Sequence, residues 1–85
     1  QNPPPQSSPI FAGLALVASM SLSEARWDFY RNYGGNHRRL GEWAVAYHAY
    51  QKAVRYAPDD EAAESRQRRV DEMRANIERD GPRRP

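Results

Sequence analysis

Apolar and charged positions are distributed unevenly along this chain. Residues 1 to 23 carry no charged side chain, and all thirteen basic and eleven acidic residues lie from Glu24 onward. The leader QNPPPQSS (1–8) is polar and proline-rich, which predicts an extended or polyproline-like segment. The next stretch, PIFAGLALVASMSL (9–22), is apolar apart from two serines. It predicts a helix that Ser8 caps and Pro9 opens, since proline suits the first helical turn.

Amphipathic periods follow. The tetrad SLSE, Ser21 to Glu24, fits a capping box and predicts a fresh helix from Leu22. Trp27, Tyr30 and Tyr33 then recur at helical steps of three. Gly34 and Gly35 each weaken a helix by about 1 kcal/mol relative to alanine. The helix therefore ends at this pair, or packing carries it on to about Arg39. A second helix is expected from Trp43 to Tyr56. Its buried face is Ala46, Tyr50, Ala53 and Ala57, with Trp43, Tyr47 and Val54 beside it and Ala49 about a quarter-turn off. Pro58 ends this helix, because the residue before a proline is driven away from helical geometry. Asp59 or Asp60 caps a third helix to about Arg79, closed by Gly81 and Pro82. Only Val70, Met73 and Ile77 form an apolar stripe on it, so it is expected to cap the hairpin or face solvent more than to build the core. The expected fold class is all-α.

Within residues 23–60 the order Tyr30, Tyr33, Gly34, His37, then Ala46, Tyr50, Ala53 and Pro58 resembles a tetratricopeptide repeat. That family's helix–turn–helix pattern is W-x2-L-G-x2-Y, A-x3-F and P. The spacing matches throughout about residues 27 to 60. Tyr30 stands for tryptophan, Tyr33 for leucine and His37 for tyrosine. The resemblance implies that Gly34 and Ala46 are small where two helices approach closely. It also implies that the first helix lines a groove, with Arg31, Arg38 and Arg39 facing it, a set suited to an acidic or carboxylate-bearing partner segment. Neither residues 1–26 nor 61–85 repeat the pattern. Such units usually need about three copies to bury a continuous core, so a lone copy must be covered by its own polar C-terminal helix and tail (61–85), by membrane or by another protein.

Charge narrows the classes of function. The formal net charge is only +2 although twelve of the thirteen bases are arginine, and a nucleic-acid face usually needs a one-sided basic patch. Arginines interleaved with eight aromatics between Trp27 and Tyr56 leave single-strand binding as a minor alternative. No cysteine is present, so neither disulfides nor thiolate metal sites are available. His37 and His48, eleven residues apart, form no recognisable metal pattern. His37 is expected to pack as an aromatic and His48 to be exposed. No phosphate loop, serine elbow or spaced carboxylate pair occurs, so neither a catalytic activity nor a cofactor is expected.

Three readings compete for residues 9–22. A secretory signal would need a basic start, which the leader lacks. A soluble helix buried against the hairpin and a short membrane helix fit about equally. At ~1.5 Å per residue its fourteen residues reach about 21 Å, short of a ~30 Å hydrocarbon core. The flanking Arg26, Trp27, Phe29, Tyr30 and Arg31 favour a membrane edge with the basic C-terminal part cytoplasmic. The sequence therefore points to a non-catalytic accessory subunit contacting other protein subunits of a membrane-associated assembly, by analogy a photosynthetic or respiratory one. The alternative is a soluble cytoplasmic adaptor that binds an acidic peptide.

Overall fold

The computed structural model describes residues 20–81. The proline-rich leader 1–8, all but the last three residues of the apolar segment 9–22, and the tail 82–85 lie outside the described residues. The fold is all-α: α1 (Leu22–Arg39), α2 (Trp43–Arg55) and α3 (Asp60–Asp80). α2 is the middle element, with α1 and α3 each packed against it. Among the described residues no helix is long and apolar enough to cross a membrane.

α1 starts at its capping box. Ser21 Oγ accepts a hydrogen bond from the Glu24 N–H at 3.0 Å, and Glu24 Oε1 accepts from the Ser21 N–H at 2.7 Å. Ser21 is extended (φ −69°, ψ 162°), so the helix begins afresh at Leu22. It passes through the glycine pair without stopping. A Cβ on Gly34 would lie 2.9 Å from both Cδ1 and Cε1 of Tyr50, so this glycine lets the backbone of α1 approach the ring. Close packing there offsets the poor helix propensity of glycine. The helix stops instead at Gly41. The Glu42 N–H donates to the His37 carbonyl at 2.9 Å and the Gly41 N–H to the Arg38 carbonyl at 3.0 Å, a Schellman arrangement. It requires the left-handed φ of 75° that Gly41 adopts.

α2 ends at Arg55 with Tyr56 as its cap, three residues before Pro58. Asp59 then caps α3, its Oδ1 accepting from the Ala62 N–H at 2.8 Å, and Gly81 closes α3 with φ 74°. At the far end Trp43 Nε1–H donates to Asp80 Oδ2 at 2.7 Å, pinning the start of α2 to the end of α3.

The buried apolar residues are Ala46, Ala49, Tyr50 and Ala53 from α2 with Val70 and Met73 from α3. Trp43, Tyr47 and Val54 lie half-covered around Ala46, Tyr50, Val70 and Met73. Two expectations are corrected here. Ala49 is 4% exposed and belongs to the packed surface, because a helix flanked by two others must bury a wider arc than one packed on a single neighbour. α3 is a core element, since its Met73 is completely buried and Val70 almost so. Two well-placed apolar residues suffice because α2 supplies Tyr50, Trp43, Tyr47 and Val54 around them.

Candidate functional site

Tyr50 sets the position of the site. Its buried ring meets Gly34 of α1 on one edge, while the Arg66 guanidinium of α3 stands over the ring at 5.8 Å from the centroid. Gly34 keeps α1 and α2 close, and beside that contact α1 and α3 leave a cleft between them. Its volume is about 220 Å³, and its lining includes Arg31, Arg38, Arg39, Arg66, Arg69 and the edge of Tyr50. All three arginines expected to face a groove therefore line one cleft. Two more come from α3.

Helical spacing explains the convergence. Arg31 precedes Gly34 and Gly35 by about one turn, and Arg38 and Arg39 follow them by about one turn. Arg66 and Arg69 are three residues apart and flank the Val70–Met73 stripe that buries against α2, so burial of that stripe turns both guanidinium groups toward α1.

Only part of this charge is neutralised. Arg31 Nη2 donates to Asp28 Oδ1 at 2.6 Å. Glu72 links the two helices, accepting from Arg69 Nη1 at 2.8 Å and from Arg38 Nε at 3.4 Å. The hydrogen bond from Arg69, joined by the positive charges of Arg38 and Arg69, holds the Glu72 carboxyl below its ordinary range against the opposing effect of burial. Arg39 donates to the Asn36 side-chain oxygen and Arg66 Nη2 to Ser65 Oγ at 3.0 Å, so neither is paired with a carboxylate among the described residues. Partial burial lowers the Arg66 pKa, and the neighbouring charges of Arg69, Arg31 and Arg68 push the same way while Tyr50 opposes them. The Nε atoms of Arg31 and Arg66 are out of contact with solvent and donate to no acceptor among the described residues. An arrangement of fixed guanidinium forks with unused donors is suited to oxyanions.

The remaining motif residues differ in burial. Tyr50, Ala46 and Ala53 are buried. Tyr30 is half-buried and stacks on Tyr56, ring centroids 6.2 Å apart. Tyr33 is 40% exposed and lies outside the core, stacked on Phe29 at 5.6 Å and tilted against His37 at 4.3 Å. Gly34, the next residue, makes the interhelical contact in its place. His37 is half-buried and pairs across the turn with Glu42, whereas His48 is exposed. Pro58 is exposed in the α2–α3 connection. Among the described residues no three histidine, aspartate or glutamate side chains converge as metal ligands would.

Sequence reasoning missed Arg66, Arg69 and Glu72. The available signal was position: Arg66 and Arg69 precede Val70 and Met73 at helical spacing, so they border a stripe already recognised as apolar. No known protein family, curated protein or solved structure matches the chain.

Proposed function

We propose that this chain is a non-catalytic accessory element of a multi-subunit, membrane-associated assembly, and that it works by protein–protein contact. Its arginine-lined cleft takes a carboxylate-bearing segment of a partner subunit. The observation that carries the reading is the convergence of Arg31, Arg38 and Arg39 with Arg66 and Arg69 on one cleft over Tyr50. Guanidinium forks bind carboxylates bidentately, giving geometric selectivity as well as attraction. α1 and α2 are proposed to form a tetratricopeptide-like hairpin. The close approach of Gly34 to Tyr50 and the complete burial of Ala46 and Ala53 support that reading, since these are the small positions of the motif.

Titration of the full chain with a hexaglutamate peptide tests the cleft. Binding should weaken on Arg31→Glu with Arg38→Glu, and should fall with salt, because exposed charges are screened beyond ~8 Å at physiological ionic strength. Unchanged binding in the folded double variant removes the proposal. Membrane attachment through residues 9–22 rests on their uncharged composition and on the aromatic and arginine residues that follow. Fractionation separates this reading from a soluble adaptor using the same cleft: recovery of the intact chain as a folded monomer without detergent or partners favours the adaptor.

A further inference from the structure

The cleft carries more positive charge than a carboxylate can balance. Five guanidinium groups are set against two carboxylates paired to them, Asp28 and Glu72, which leaves three positive charges in excess. The excess is focused. Arg39 and Arg66 have no carboxylate partner among the described residues, and the solvent-shielded Nε donors of Arg31 and Arg66 are unused. One arginine comes from the middle of α1 and the other from the first half of α3, so the fold brings together two like charges that are remote in sequence. Holding such groups side by side in a partly desolvated place is unfavourable unless an anion joins them.

We infer that the cleft is a phosphomonoester site, and that its ligand is a phosphorylated side chain within the acidic partner segment. This inference rests on the proposed acidic-segment reading and refines its ligand. A phosphorylated serine or threonine carries about −1.5 to −2 charges near neutral pH and three acceptor oxygens. Both the charge and the number of acceptors match the cleft better than one carboxylate does. Three acceptor oxygens can take donors from the guanidinium groups of Arg39 and Arg66, which line the cleft and bond only to neutral oxygens among the described residues. A volume of about 220 Å³ admits one such group with its side-chain stem. Nucleic-acid phosphates suit it less well, because each diester carries one negative charge and a strand needs an extended basic track. Here the arginines are gathered in one cleft, and α3 also presents Glu61, Glu64, Asp71 and Glu78.

The Nε–Hε resonances of Arg31 and Arg66, shielded from solvent, provide a direct readout in the full-length chain. Three probes are titrated at constant ionic strength: a phosphoserine peptide flanked by glutamates, an unphosphorylated glutamate peptide of equal net charge, and a ten-nucleotide oligothymidylate. The phosphopeptide should shift both resonances and bind roughly tenfold or more tightly than its charge-matched counterpart, the scale of a charged hydrogen bond. Arg66→Gln should abolish that preference. If Arg66→Gln does not fold, Arg39→Gln, at an exposed position, must show the loss. Equal affinity for the two peptides overturns the phosphomonoester and leaves the acidic-segment reading standing. Binding of neither peptide overturns both. Tighter binding of the oligonucleotide than of the phosphopeptide replaces the inference with a nucleic-acid site.

Discussion

α1 meets its two neighbours in opposite ways. Against α2 it presents a glycine, and the contact is the bare backbone at Gly34 set on the ring of Tyr50. Against α3 it presents guanidinium groups, and Arg38 and Glu72 form an ion pair between the two helices at 3.4 Å. The first contact excludes water, removes apolar surface and leaves no polar group to satisfy. The second gathers charged groups, with fewer carboxylates than arginines. One helix therefore contributes to stability along one seam and leaves guanidinium groups short of carboxylate partners, among the described residues, along the other. Tyr50, shared by both, couples them.

The largest effect should come from removing that shared residue. Tyr50→Ala empties the centre of a small core, and truncation of a large buried aromatic typically costs about 3–5 kcal/mol. Circular dichroism on heating should show cooperative unfolding lost or moved far down in temperature. A cost confined to the binding cleft, with the melt unchanged, would mean that the α1–α2 seam does not depend on the ring.

Next come the alanines of α2. Ala46→Leu and Ala49→Leu should each destabilise by about 1–3 kcal/mol through overpacking, because both positions are buried. Tolerance at Ala49 alone would restrict the packed face to the narrower arc that periodicity indicates. The glycine pair offers a sharper contrast. Gly34→Ala places a methyl group 2.9 Å from a ring that is 2% exposed, and should lose stability despite the gain in helix propensity. Gly35→Ala meets only Arg39 Nη1 at 3.7 Å and the Tyr50 hydroxyl at 3.8 Å, and should gain up to about 1 kcal/mol. Thermal melts that moved in the same direction for both would break the comparison between the seams.

The electrostatic effects are smaller. Arg66→Met keeps an apolar stem over Tyr50 while removing a charge crowded by Arg69, Arg31 and Arg68. The melting temperature should rise slightly at low salt, by an amount equivalent to no more than about 1 kcal/mol, and the gain should shrink as salt is added. Glu72 gives the pH dependence. Its folded pKa lies below the ordinary 4.5 because Arg69 and Arg38 stabilise the carboxylate. Its contribution is therefore complete above that ordinary value and is lost as pH falls through the lower, folded value. Glu72→Gln should flatten the part of the acid limb that lies below pH 4.5. An acid limb identical to the parent's would show that the α1–α3 link adds nothing.

Much of the fold was already determined by local chemistry. Ser21 and Glu24 fix the start of α1 through hydrogen bonds within one turn, and Asp59 does the same for α3. The spacing of Ala46, Tyr50 and Ala53 fixes the packed face of α2, because those residues share a side of any helix that forms. Other features depend on residues distant in sequence. Whether α1 would stop at Gly34 was undetermined until Tyr50 closed on that glycine and Gly41 supplied the terminating turn. Ala49 and Met73 became core only because α2 lies between two helices. The cleft shows the same division. Arg31, Arg38 and Arg39 were singled out in the sequence by the tetratricopeptide resemblance, at positions that one helix carries. Their grouping with Arg66, Arg69 and Glu72 was decided by tertiary structure alone, because charge interaction depends on distance through space, and the chain separates Arg38 from Glu72 by 34 positions before the fold brings them within 3.4 Å.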